Sequence, residues 1–185
     1  MENCIFSAIC DRATGCDIGL FIKFVGLLVF TYNFIETWKM RAYVILKIPL
    51  IFFVSPRVLE LTDQTCRVSI PLNRRTRNHV GSLYFGALAV GADLTAGLLA
   101  FRLIDKSQFK INFLFKDFRA DFLKRCEADT VFVCDSGTRI TEAVKKAIES
   151  RERVNVSVPI TAFTPSLLND EPTGQFYLTL SMKSY

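Results

Sequence analysis

A chain of 185 residues, half of them hydrophobic and 17 of them Phe, is long enough to bury the core of one domain. Its formal charge of +5 is small and dispersed, which excludes nucleic acid as the expected partner but is compatible with an anionic ligand. The six cysteines include no CxxC pair and there is one histidine, so we expect no metal site and reduced thiols in a cytoplasmic protein.

The N-terminal part is dominated by two apolar runs. The first, Ile18–Ile35, contains Lys23, and the second, Ala42–Val54, is broken by Lys47 and Pro49. Each run is long enough for a buried or interfacial helix and marginal for a membrane span. We therefore expect an apolar helical extension over residues 1–55 in a cytoplasmic protein. Its helices either pack on the domain or, through residues 18–54, make peripheral contact with a membrane, and a true membrane span is the less favoured alternative.

Alternation of apolar and polar residues begins after Pro56. Val58–Leu61, Cys66–Ile70 and Glu127–Cys134 predict three short strands. Three longer stretches alternate with a period of two, which is typical of an antiparallel sheet with one buried face. Their apolar positions are Phe109, Ile111, Phe113 and Phe115; Val154, Val156, Val158, Ile160 and Ala162; and Phe176, Leu178, Leu180 and Met182.

Two segments have helical patterns. The first, Ser82 to about Ile104, lacks Pro and is rich in Ala and Leu, so it predicts a long helix. The second, Ile140–Ile148, has apolar residues at helical spacing and predicts a short amphipathic helix that covers the sheet. Glycine forms helices weakly, so we expect the glycines of the long helix where sheet or ligand approaches closely. These are Gly86, Gly91 and Gly97. The predicted fold class is α+β, and residues 56–185 form its main domain.

Asp93 is the lone carboxylate in the middle of the long helix. Its neighbours on the same face of an ideal helix are small or apolar, so we expect its side chain to be buried or to face a cleft. They are Ala89, Val90, Ala96 and Gly97. A carboxylate in such surroundings must be hydrogen-bonded, ion-paired or functional. The residues alone leave the structural and the functional interpretation open.

Polar and basic residues lie just before the long helix. Asn78 suits a turn or a helix cap. A lone histidine such as His79, with no partner at helical spacing, is more often structural than catalytic. Arg74, Arg75 and Arg77 form the dense basic cluster of the chain, which either contacts phosphate groups or is a solvated loop.

The stretch NHVGSLYFGALAVGAD, residues 78–93, resembles the N-x-x-G-x-x-H-G-G-x(6)-D signature of hotdog-fold acyl-CoA thioesterases of the phenylacetate-degradation type. It is still more similar to an uncharacterised bacterial subgroup, in which IPLNRRTRNH and YFGALAVGAD stand almost as here. The likeness runs from about Ile48 to the final strand. It implies a hotdog fold, in which a five- to six-stranded antiparallel sheet wraps a long central helix, with extra N-terminal apolar helices.

The resemblance also implies roles for individual residues. In that family a helix carboxylate activates the hydrolytic water or attacks the thioester, a backbone N–H at the helix start holds the thioester oxygen, and a loop Asn positions water or carbonyl. Asp93 matches the acid and Asn78 the Asn. Phe85 and Gly86 fall on the two glycines of the signature, and Tyr84 falls on its His. A backbone N–H survives the replacement of Gly by Phe, so Phe85 keeps an oxyanion donor.

The implied substrate is an acyl-CoA or acyl-carrier-protein thioester. No cofactor is implied other than the coenzyme A that forms part of the substrate. The positions beside the site that are expected to bind its anionic portion are Arg74, Arg75, Arg77 and His79.

Phe85 and Asp93 are eight residues apart on one helix, which places them about 12 Å apart along its axis. A carbonyl held at Phe85 therefore cannot meet a water held by Asp93 of the same chain. A shared reaction requires a homodimer with two composite sites. Whether two such dimers pair into a tetramer stays open.

Two other functions stay open at this point. The first is a non-catalytic acyl- or lipid-binding hotdog module, favoured by the bulky Tyr84 and Phe85 and by the absence of the hydroxyl that often assists from the next strand. The second is a hotdog dehydratase or hydratase, which pairs a histidine with a carboxylate and has His79 as its candidate.

Overall fold

The computed structural model describes residues 48–185 and, before them, Ile35, Thr37 and Trp38. Most of the predicted run Ile18–Ile35, and residues 42–47 of the second run, lie outside the described residues. The described elements are, in chain order, α1 (Pro49–Phe53), β1 (Arg57–Leu61), β2 (Cys66–Ile70), α2 (Phe85–Ser107), β3 (Ile111–Phe122), β4 (Thr130–Cys134), α3 (Gly137–Ser150), β5 (Val154–Phe163), α4 (Pro165–Leu168) and β6 (Pro172–Ser184).

The six strands form one antiparallel sheet in the order β1-β2-β4-β5-β6-β3. The ladder between β3 and β6 is long, running from Ile111 opposite Ser184 to Phe122 opposite Gly174, with a bulge between Phe115 and Asp117. β3 is thus an edge strand of 12 residues. The predicted antiparallel sheet is confirmed.

The apolar positions of the predicted alternation form the buried face of this sheet. Phe176, Leu178, Leu180 and Met182 of β6 are at most 1% exposed. In β5 the alternate positions Val158, Ile160 and Ala162 are buried, and Val154 and Val156 are partly buried. In β3 the alternation holds from Ile111, which is buried, whereas Phe109 lies before the strand and is exposed. The apolar stripe of α3 is also buried, as its spacing predicts.

The long helix α2 packs against β2 and β4 and also contacts α3. It is apolar and long enough to cross a membrane by length and composition, but most of its apolar window is buried inside the protein. It begins at Phe85, three residues after the predicted start. The N–H groups of Ser82, Leu83 and Tyr84 donate hydrogen bonds to acceptors in loops. The helix therefore begins only after these three residues.

The glycines of α2 differ in the space around them, which predicts opposite effects of alanine. A Cβ on Gly91 would lie 2.4 Å from the ring of Phe132, which is fully buried against Phe176. A Cβ on Gly97 meets only the Phe115 ring, at 3.9 Å. We expect Gly91→Ala to destabilise the protein by about 1–3 kcal/mol through overpacking, and Gly97→Ala to stabilise it by about 0.5–1 kcal/mol. Urea unfolding of both variants measures this, and equal effects would contradict the described packing.

α1 lies against the domain rather than apart from it. Ile51 and Val54 are each 4% exposed and belong to the core cluster. The hydrophobic core therefore includes residues on both sides of the predicted boundary at residue 55.

Candidate functional site

The loop that leads into α2 is built around Thr76, which is 1% exposed. Its hydroxyl donates to the carbonyl of Pro71 at 2.6 Å and accepts from the N–H of Asn73 at 2.9 Å. Its carbonyl accepts from the N–H of Tyr84 at 2.7 Å. Thr76 thus fixes the residue at which α2 begins.

Asn78 organises the second half of this loop. Its Oδ1 accepts from the N–H of Val80 at 3.1 Å and from the N–H of Ser82 at 3.0 Å, and its own N–H donates to the carbonyl of Ser82 at 2.8 Å. These bonds define an Asx-type turn, in which the side chain substitutes for backbone acceptors. The structure therefore gives Asn78 a turn role.

The first turn of α2 offers free backbone donors. The N–H groups of Ala87 and Leu88 donate to the carbonyl of Tyr84. In the described part of the chain, the N–H groups of Phe85 and Gly86 have no acceptor. A helix N-terminus carries partial positive charge, so these two groups suit an oxygen atom that develops negative charge.

The side chains at this helix start lie on the outside of the protomer. Tyr84 is 49% exposed and Phe85 is 59% exposed, with their ring centroids 4.9 Å apart. The Tyr84 ring covers Gly86, where an added Cβ would lie 2.7 Å from it. The Phe85 ring points away from the core. It therefore does not displace the backbone N–H of Phe85, and it adds an apolar surface beside that group.

Asp93 is partly buried on the second turn beyond this end of α2. None of the described residues donates a hydrogen bond to its carboxylate, and none forms an ion pair with it. Burial raises the pKa of the Asp93 carboxyl above its ordinary value of 3.8. A partly desolvated carboxylate without a partner costs stability, and it is the stronger proton acceptor for that reason.

The basic residues of the loop are divided between two surroundings. Arg75 donates from Nη2 to the Ser55 hydroxyl at 2.7 Å, and its guanidinium lies 5.5 Å from the centre of the Phe53 ring. It therefore faces α1. Arg74, Arg77 and His79 are exposed on the loop.

Two cysteines in the described part of the chain are poorly placed as nucleophiles. Cys66 and Cys134 lie opposite each other on β2 and β4, and both are fully buried. Burial raises the pKa of both thiols, which makes them unreactive. These two thiols are therefore not candidates to activate water, whereas the partly buried Asp93 carboxylate is one.

One polar group near the helix start is not predictable from the sequence. Ser82 is 5% exposed, and its hydroxyl has no partner among the described residues. In the sequence, Ser82 is marked only by its position three residues before Phe85. Many structural residues occupy such loop positions, so this position does not single out a functional serine. Its position adds a buried hydroxyl to this end of α2.

The structure thus brings Asn78, His79, Tyr84, Phe85 and Gly86 together at one end of α2 and places Asp93 two turns away. A separate open cleft of about 360 Å³ lies at the other end of the helix and contains none of these residues. Its lining is Phe101, Ile104, Asp105, Gln108, Phe109, Lys110 and Ile111.

A long helix packed on a six-stranded antiparallel sheet, with its N-terminus beside the candidate site, defines a hotdog-fold protein. Residues 36–164 match the family described as domain of unknown function DUF4442, and the chain belongs to that family. No curated protein matches the chain in sequence.

Solved structures confirm the fold. PA5026 of Pseudomonas aeruginosa, a protein of unknown function described as a probable thioesterase, is 18% identical with a TM-score of 0.65, covering 80% of this chain and 95% of its own. A point mutant of the thioesterase PA1618 from the same organism is 19% identical with a TM-score of 0.55, covering 71% and 84%. A point mutant of the thioesterase SAV0944 of Staphylococcus aureus is 14% identical with a TM-score of 0.55, covering 72% and 98%. These likenesses establish a hotdog fold of the kind that thioesterases use.

Proposed function

We propose that the protein hydrolyses thioesters at a site shared between two protomers. Water adds to the thioester carbonyl, Asp93 accepts the proton of that water, and the N–H groups of Phe85 and Gly86 bind the oxyanion. Collapse of the intermediate breaks the C–S bond, and the protonated Asp93 gives its proton to the leaving thiolate. The products are a carboxylic acid and a thiol. The observation that carries this proposal is the unpaired, partly buried carboxylate of Asp93 on the helix whose first turn has free donors.

The distance between Asp93 and the start of α2 supports a second protomer in the proposed site. Asp93 and the Phe85 N–H lie about 12 Å apart along the helix axis, which is too far for one water and one carbonyl to react. A two-fold axis that runs two α2 helices antiparallel places Asp93 of one protomer opposite Phe85 of the other. Each dimer then contains two equivalent sites.

The edge strand β3 supports such a dimer. It has no strand partner on its outer side within the described residues. Leu114, Phe118 and Phe122 are 57%, 45% and 55% exposed along it. A long apolar edge is normally covered or paired, because its free N–H and C=O groups favour strand addition. Pairing of β3 with a second β3 would cover this edge and join two sheets into one.

The basic loop supports an anionic carrier on the substrate. Arg74, Arg77 and His79 are exposed at the same end of α2 as the free N–H groups. Guanidinium groups bind phosphates through charge-assisted hydrogen bonds. Coenzyme A and the phosphopantetheine arm of an acyl-carrier protein both present phosphate, so the proposed substrate is an acyl-CoA or an acyl-carrier-protein thioester.

A binding module without turnover is the second candidate. It is favoured by Asn78, whose Oδ1 is occupied by two backbone N–H groups, and by the aromatic rings of Tyr84 and Phe85 at the site. An acyl-binding protein of this kind would use the same surface and release no thiol.

A panel of acyl-CoAs of increasing chain length separates the two candidates. We expect thiol release, followed with a colorimetric thiol reagent, for at least one member of the panel, and a raised melting temperature with the same member. Stabilisation of the protein without thiol release would support the binding module and contradict the hydrolase.

A further inference from the structure

The second surface of interest is the outer side of α1. Ile51 and Val54 face the core, whereas the apolar residues between and before them face outward. We define the α1 face as these outward residues, Ile48, Leu50, Phe52 and Phe53, which are 40–62% exposed. A single helical turn that exposes this much apolar surface marks an interaction site rather than scattered surface hydrophobics.

One arginine contacts the α1 face, and three more are exposed near it in the chain or in the same loop as that arginine. Arg75 is joined to it by the hydrogen bond to Ser55 and by the stacking of its guanidinium on Phe53. Arg74 and Arg77 are exposed in the same loop, and Arg57 is exposed at the start of β1. Within the described ranges, none of these four arginines forms an ion pair with an acidic residue.

The one tryptophan of the chain lies beside the same region. Thr37 is 8% exposed, and its hydroxyl accepts from the N–H of Val58 in β1 at 3.0 Å. This bond places Trp38 near the junction of α1 and β1, where it is 55% exposed. Tryptophan is enriched at membrane–water interfaces, since its ring is apolar and its N–H is polar.

We infer that the α1 face docks on an anionic lipid surface. Apolar side chains enter the boundary between headgroups and acyl chains, and the surrounding arginines bind the negative headgroups. A second copy of this chain is a poorer occupant, because a two-fold contact would bring the same four unpaired arginines together. The inference does not depend on thioester hydrolysis, although Arg74 and Arg77 lie in the loop that is also proposed to bind the anionic carrier of the substrate.

Vesicle binding by the full chain tests this inference. The probes are phosphatidylcholine vesicles with and without phosphatidylglycerol, followed by co-sedimentation and by the fluorescence of Trp38, the single tryptophan. We expect binding to the anionic vesicles, a blue shift of Trp38 emission on binding, and loss of both at high salt.

Two pairs of variants locate the contact. Arg57→Glu and the double variant Leu50→Ser with Phe52→Ser are each expected to weaken binding about tenfold or more. Their controls, Arg139→Glu on α3 and Leu167→Ser on α4, make the same charge change and remove one exposed leucine elsewhere, and both should bind as the wild type does. Retention of the wild-type melting temperature confirms that all four variants fold.

Three results would overturn the inference. They are no binding of the full chain to anionic vesicles, equal binding to neutral ones, and binding that the α1-face variants leave unchanged. The last result would assign the membrane contact to residues 1–47 instead.

Discussion

Asp93→Asn is expected to lower thioester hydrolysis by about 10²- to 10⁴-fold, because asparagine cannot accept the proton of the attacking water. The substitution keeps the size and shape of the side chain, so the proposed acyl-CoA binding and the proposed dimer should persist. Thiol release under saturating substrate measures the loss, with gel filtration as the control for assembly. Full activity of this variant across the acyl-CoA panel would contradict the role of Asp93.

The same variant is expected to be more stable than the wild type at neutral pH. Burial raises the pKa of Asp93 in the folded protein above its value of 3.8 in the unfolded chain. Folding therefore favours the protonated carboxyl over the carboxylate. The stability that this protonation contributes is complete below the pKa of the unfolded chain and is lost as the pH rises through the pKa of the folded protein. Asparagine does not titrate, so the variant does not lose this stability as the pH rises. Melting temperatures should differ at neutral pH and converge in acid, whereas a less stable variant at neutral pH would indicate a structural partner of Asp93.

Phe85→Pro is expected to lower hydrolysis by about 10²- to 10³-fold, because proline has no N–H to bind the oxyanion. The substitution suits the fold. Phe85 is the first residue of α2, a position where proline is common, and Tyr84 before it has the extended backbone that precedes proline, with φ −66° and ψ 141°. Turnover of this variant, compared with the wild type, measures the contribution of the backbone donor.

Phe85→Ala is the matched control for that loss. It removes the exposed ring and keeps the N–H, so its turnover should stay within a few-fold of the wild type if the backbone group acts. Equal losses in the proline and alanine variants would assign the effect to the ring and leave the N–H without a role. A large loss of turnover in the alanine variant, without one in the proline variant, would show that the ring binds the substrate.

Much of the fold could be predicted because its signals are local. The alternation in β5 and β6 and the helical spacing in α3 correspond directly to the buried residues. The start of α2 could not be predicted, since it depends on Thr76 and Cys126, which hold the N–H groups of Tyr84 and Leu83 through the tertiary structure. β3 likewise extends to Phe122 beyond its clear alternation, because it continues to pair with β6.

The features of the candidate site also divide into those with a local sequence signal and those that depend on the tertiary structure. Asp93 is predictable from one carboxylate in an apolar helix, a local signal, and it is indeed partly buried and without a partner among the described residues. The orientation of Arg75 is not predictable, because it depends on Ser55 and Phe53, about twenty residues away in the chain. The roles assigned to Asn78, Tyr84 and the loop arginines stay predictions.

A dimer of one Asp93→Asn chain and one Phe85→Pro chain tests the shared site most directly. Co-expression with two different tags isolates this mixed dimer from the two parental dimers, each of which should be inactive. One of its two sites combines Asp93 of one protomer with the Phe85 N–H of the other, so we expect about half of the wild-type thiol release per dimer. A mixed dimer as inactive as its parents would contradict the composite site.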